Sequence, residues 1–156
     1  KLPIPIRLEY WSGSGFVTNT IDTCTTLATS DIALDFTPVT NLTSCETRVE
    51  TSPITFSDPS HPGVGSVVLS ASGAGNNGTV LLTANLNAAS GSYCNAGGSY
   101  VAASSSNKPY LLGRWSDAAD PDGNANTFYD DAASARAGFG LYGSQPNSFI
   151  FLRERY

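Results

Sequence analysis

The chain has 156 residues, a net charge of −5 and only 13% charged side chains. Lys1 and Lys108 are its only lysines, so no basic patch can form and nucleic acid is excluded as a partner. No apolar run approaches the length of a membrane-spanning helix, so membrane insertion is not expected, and the length suits one domain over residues 1–156.

Residues 2–10 alternate cleanly, with Leu2, Ile4, Ile6, Leu8 and Tyr10 on one face and Pro3 and Pro5 on the other. Proline cannot donate to a strand ladder, so this reads as an edge strand, or as an assembly strand that leaves its own domain to complete a neighbour's sheet. Residues 11–15 form a Gly/Ser turn and residues 16–19 a return strand. Residues 24–28 and 32–36 are further short strands. Residues 37–65, carrying Pro38, Pro53, Pro59 and Pro62, read as a long loop with one short strand at 54–56. Residues 67–71 and 79–86 pair as a hairpin around the Gly/Asn turn at 73–78. Residues 88–106 are small and polar and assign no element, residues 109–115 read as a strand or a short helix with strand entry preferred, and residues 117–131 form an acidic loop.

The chain closes on a predicted hairpin, residues 134–142 and 148–156 around a turn at 143–147. Pairing Tyr142 with Ser148 sets Gly140 opposite Ile150, Gly138 opposite Leu152 and Arg136 opposite Glu154, so Arg136 and Glu154 are a structural cross-strand ion pair. No segment shows helical spacing over more than a turn or two. Many short strands separated by Gly, Pro and Asn turns predict an all-β fold: an antiparallel β-sandwich, Greek-key or immunoglobulin-like, ending in that C-terminal hairpin.

Cys24, Cys45 and Cys94 show no CxxC spacing. With a single histidine in the chain, one disulfide in an oxidising compartment fits better than zinc. Cys24–Cys45 is the preferred pair, worth about 3 kcal/mol in the chain-entropy model, which leaves Cys94 free or bonded to another chain.

Little in the sequence supports catalysis. His61 lies in Asp58-Pro-Ser-His-Pro62, where prolines hold an extended surface loop and no Gly-x-Ser-x-Gly elbow exists to complete a triad. The best chemical candidate is the acidic loop. Asp120, Asp122, Asn124 and Asn126 offer oxygen side chains at alternate positions, with Asp131 following, a density that suits Ca2+. Gly123 stands fourth rather than sixth in that run, so it is not an EF-hand, and no other cofactor is indicated. A carbohydrate-active hydrolase drawing two carboxylates from Asp117, Asp120, Asp122, Asp130 and Asp131 is an alternative, but it needs a walled cleft to raise one pKa. The aromatics Tyr10, Trp11, Tyr93, Tyr100, Tyr110, Trp115, Tyr129 and Tyr142 are many for so uncharged a chain. Packing of Trp11 and Trp115 in the core is the ordinary use of such rings, and stacking on a sugar is the other.

Residues 133–142 (ASARAGFGLY) with 151–156 (FLRERY) look like the closing signature of a known domain. Residues 2–11, 16–20 with 22–25, 73–80 and 111–115 follow in the same order as further landmarks. The chain resembles, over its whole length, the C-terminal domain of MshQ-like surface proteins, encoded with mannose-sensitive haemagglutinin type IV pili. The resemblance implies an exported, processed domain at the cell surface, the C-terminal piece of a larger precursor that often carries a lectin-like module upstream. Lys1 as first residue and the lack of methionine agree with such a piece. That C-terminal domain has no established function in the family; with little in the sequence to support catalysis, the expected role is non-enzymatic, structural or adhesive, with a pilus or other surface protein, copies of itself, or a glycan as partner.

Overall fold

A computed structural model of the chain describes residues 1–37, 41–113 and 131–140. It is an antiparallel β-sandwich of eleven described strands with two single-turn 3-10 helices. In order the strands are β1 (Leu2–Arg7), β2 (Glu9–Trp11), β3 (Phe16–Thr18), β4 (Thr26–Leu27), β5 (Ile32–Asp35), β6 (Ile54–Thr55), β7 (Val64–Leu69), β8 (Gly78–Ala84), β9 (Ser92–Cys94), β10 (Tyr100–Ala102) and β11 (Ser134–Phe139). They form a three-stranded sheet, β11-β8-β5, and the pairs β1-β7, β4-β6, β9-β10 and β2-β3.

β8 shows how period-two alternation becomes a core. Gly78, Val80, Leu82 and Ala84 are buried, while Thr79, Leu81 and Thr83 are half-buried on the other face. It is paired along both edges, with β11 on one side and β5 on the other. The apolar face meets Ile32, Leu34, Ile54, Phe56 and Leu69 in one continuous cluster. Burying each such side chain contributes roughly 1.5–3 kcal/mol.

Buried polar groups are answered locally, as the cost of leaving them unpaired demands. Asn85 donates from Nδ2 to the carbonyls of Ser90 (2.9 Å) and Ser104 (3.1 Å), and its Oδ1 accepts from the Ser90 hydroxyl. Asp31 accepts from the Ala28 N–H and the Ser104 hydroxyl, and Thr47 donates to the Ser70 carbonyl at 2.8 Å.

β1 lies in its own domain, antiparallel to β7, with Leu2 opposite Leu69, Ile4 opposite Val67 and Ile6 opposite Gly65. Leu2–Arg7 therefore packs in cis, where the assembly-strand reading has residues 1–10 leave the domain. Leu2, Ile4 and Ile6 are half-buried and Leu8 is buried, but Tyr10 belongs to a separate strand and is exposed. Because Pro3 and Pro5 have no N–H, the ladder must run through Leu2, Ile4 and Ile6, and the prolines face the outer edge.

Three further expectations change. The disulfide is Cys45–Cys94, with Cα atoms 5.4 Å apart, and Cys24 is free and exposed, so the Cys24–Cys45 pairing is wrong. The partner for Cys45 is delivered by the β9-β10 hairpin, inside the stretch the sequence left unassigned. Residues 67–86 are not a hairpin: β7 and β8 lie in different sheets, and the glycine-rich connection carries the chain between layers. Gly73 and Gly75, both at φ +85°, supply the left-handed turns that crossing uses. Residues 109–111 are a single-turn 3-10 helix, so the short-helix alternative holds there and the preferred strand does not.

The terminal hairpin is described in its first arm only. β11 pairs with β8, placing Arg136 opposite Leu81, and Arg136 Nη1 donates to Thr79 Oγ1 at 3.3 Å. Glu154 and the arm at 148–156 lie outside the described residues. Among the described residues no helix is long and apolar enough to cross a membrane.

Candidate functional site

The β2-β3 hairpin stands apart from the packed body. Glu9 pairs with Thr18, Tyr10 with Val17 and Trp11 with Phe16. Its turn is closed by Ser12, whose N–H and hydroxyl both donate to the Gly15 carbonyl, at 2.9 and 2.8 Å, with Gly13 at φ +98°. Three-residue strands with no other partner among the described residues have no core to bury against. Tyr10 is 50% exposed, Trp11 59%, Phe16 54% and Val17 40%. The expected core packing of Trp11 is thereby overturned.

Strand geometry sorts these side chains into two faces. Tyr10 and Val17 share one, and Glu9, Trp11, Phe16 and Thr18 share the other. On the second face the rings of Trp11 and Phe16 meet edge to face, with centroids 5.3 Å apart. Arg7 reaches it from the end of β1, its Nη2 lying 3.5 Å from Glu9 Oε1. Aromatic surface and hydrogen-bonding groups thus alternate along one strip.

The base of the hairpin is fixed to the body. Leu8 is buried, its N–H donates to the Gly63 carbonyl at 2.9 Å and its carbonyl accepts from Asn19 N–H at 2.7 Å. Gly63, at φ +80°, donates in turn to the Phe56 carbonyl. A methyl group there would come within 2.5 Å of the Asn19 carbonyl oxygen, so only glycine lets the two segments approach. Beyond the hairpin, Asp22 clamps the chain by accepting from the Thr25 hydroxyl (2.7 Å) and the N–H groups of Thr25 (2.8 Å) and Cys24 (3.0 Å). The Thr25 hydroxyl, then its N–H, holds the Asp22 carboxyl below the usual carboxylate range.

The other aromatics have different uses. Tyr100 donates its hydroxyl to the Leu34 carbonyl and packs edge-on against Phe36, centroids 5.9 Å apart. Burial, reinforced by the Asp35 carboxylate, pushes its phenol up. Tyr93 is half-buried in β9, and Tyr110 stands exposed by itself. Trp115, Tyr129 and Tyr142 lie outside the described residues.

His61 occupies an exposed turn, Nδ1 3.5 Å from Asp58 Oδ2. Asp58 is held below its ordinary range first by the Ser60 N–H and then by His61. Ser60 thus offers Asp58 its backbone rather than its hydroxyl, the arrangement of a turn and not of a relay. An open cleft of about 320 Å³ beside it is walled by Thr51, Pro53, Thr55, Val64, Ser66 and Val68.

Of the calcium candidates, Asp120, Asp122, Asn124 and Asn126 lie outside the described residues. Asp131 is described, and its backbone bridges to Gly113 through two 3.0 Å hydrogen bonds. Among the described residues no three His, Cys, Asp or Glu side chains gather as a metal site.

Sequence reasoning treated Phe16 and Val17 as an ordinary return strand. The signal it passed over is length: aromatic residues on both arms of a hairpin only three pairs long cannot all find a core.

A family model described as "DUF6701, fourth domain" matches residues 1–155. No curated protein and no solved structure matches the chain.

Proposed function

As the chain belongs to the DUF6701 family and corresponds to its fourth domain, we propose that it is a non-enzymatic adhesive module on the outside of a cell, one unit of a larger exported, type IV pilus-associated protein. The observation that carries this reading is the β2-β3 hairpin, whose large apolar side chains are held out on a fixed base where a contact would bury them. The Cys45–Cys94 disulfide suits an oxidising exterior. The pilus association rests on the resemblance of the ordered sequence landmarks to those of MshQ-like proteins.

Two alternatives have less support. Filament assembly by strand exchange needs residues 1–10 to be free, and Leu2–Arg7 pairs within its own chain along all six residues. A hydrolase built on the acidic loop rests on Asp117, Asp120, Asp122 and Asp130, which lie outside the described residues.

Adhesion is tested with beads coated in the chain and offered to cells and to surfaces bearing the assembled pilus. The wild type is expected to hold beads, and the Trp11→Ser, Phe16→Ser double variant, folded by circular dichroism, to release them. Equal retention by both would overturn the reading.

A further inference from the structure

Resting on the adhesive reading, we propose that the Trp11 face of the β2-β3 hairpin is a binding site for neutral hexopyranose glycans. The two faces of the hairpin differ in kind. Tyr10 and Val17 form a small apolar pair, whereas the opposite face carries Arg7, Glu9, Trp11, Phe16 and Thr18 as a strip of alternating chemistry.

A pyranose ring is itself two-sided in this way. Its axial C–H groups make an apolar face that stacks on an aromatic ring, and its equatorial hydroxyls need donors and acceptors around the rim. Trp11, at 59% exposure, offers the ring surface, and Phe16, edge-on at 5.3 Å, braces it. Arg7 has five N–H donors and meets Glu9 through one nitrogen at 3.5 Å, so donors remain for sugar hydroxyls. The second oxygen of Glu9 and the hydroxyl of Thr18 supply acceptors on the same face. Planar charged groups already held against each other lose little freedom on binding.

Size and charge narrow the class. Three residues of strand span about 10 Å, which suits one or two sugar rings and not a broad protein interface. The guanidinium of Arg7 is offset by Glu9, and the chain carries a net charge of −5, so sialylated, sulfated or uronic glycans are repelled. Neutral hexoses remain.

The chain has two tryptophans, Trp11 and Trp115, so its proton NMR spectrum holds two indole N–H signals, and Trp11→Phe identifies the first. The experiment titrates the 156-residue chain with lactose, cellotetraose, mannotetraose and a sulfated galactose oligosaccharide while following those signals. The proposal expects a saturable shift of the Trp11 signal with at least one neutral sugar and none with the sulfated one. Affinity, read for wild type and variants alike by isothermal titration calorimetry, should fall about tenfold in Trp11→Ala, as loss of one stacked ring implies, and stay unchanged in Tyr10→Ala. A still Trp11 signal with every sugar, preference for the sulfated ligand, or equal loss in the two variants would each overturn it. If bead adhesion depends on Trp11 while no sugar moves its signal, the contact is to a protein: the adhesive reading stands and the glycan assignment falls.

Discussion

β1 and β2 are neighbours in sequence and continue a single alternation, yet one ends in the core and the other in solvent. Leu2, Ile4 and Ile6 lean on β7 and the cluster beneath it, whereas Tyr10, two steps on from buried Leu8, is 50% exposed. The difference lies in what each strand has for company. β1 pairs six residues deep with a strand of the sandwich, and β2 has only the three residues of β3. Alternation says which side chains share a face and nothing about whether that face has anything to cover it.

The largest predicted effect falls on the body and spares the hairpin. Cys94→Ser opens a link spanning 49 residues, and the chain-entropy model assigns it about 4 kcal/mol. Thermal unfolding should drop accordingly, while Cys24→Ser should leave it unchanged and remove the only thiol that labels in the native protein. The reverse pattern would restore the Cys24–Cys45 pairing.

Next comes the joint between the two regions. Gly63→Ala places a methyl group against the Asn19 carbonyl in a left-handed conformation and should cost about 2 kcal/mol by denaturant unfolding. Its Asn19 and Leu8 amides should lose exchange protection together, and protected amides in the variant would show that the hairpin is not held there.

A smaller effect is expected from Asp22, and its sign follows from its hydrogen bonds. The folded carboxyl titrates below its unfolded value because the Thr25 hydroxyl and N–H favour the charged form. Its contribution is therefore complete above about pH 4 and disappears as pH falls through the lowered folded value. Asp22→Asn should flatten that part of the acid-unfolding curve, and an unchanged slope would mean the clamp carries nothing.

Smallest for stability, by contrast, are changes at the hairpin tip. Tyr10→Ser or Phe16→Ser should alter unfolding free energy by no more than about 0.5 kcal/mol, since neither ring fills a core. A loss comparable to that of Cys94→Ser would merge the two regions and remove the contrast between them.

What the sequence revealed depended on how strongly a residue's neighbours constrained it. β8 was legible because Val80, Leu82 and Ala84 alternate with threonines and a leucine, and β5 because Ile32 and Leu34 are spaced by Ala33 and followed by exposed Asp35. The partner of β8 was not, since a Gly/Asn turn closes a hairpin or crosses between sheets equally well, and only the layers on either side decide. β9 and β10 were hidden because Ser92-Tyr-Cys94 and Tyr100-Val-Ala102 carry no apolar rhythm; the disulfide, and Tyr100 reaching Leu34, hold them instead. The disulfide error followed directly, because the strand that brings Cys94 to Cys45 had not been seen. The candidate site was legible in its residues but not in its exposure: Trp11 stood out as a large ring, and burial is the commoner use of such rings.

Pro3 and Pro5 bear on what happens when many copies of this chain crowd together. Among the described residues β1 has no partner on the side away from β7, and that edge shows carbonyls at those two positions and no N–H to match them, so an approaching strand meets half a ladder. Molecules displayed densely on one surface are thus prevented from zipping edge to edge along β1, and aggregation by that route is frustrated by two missing hydrogens per chain.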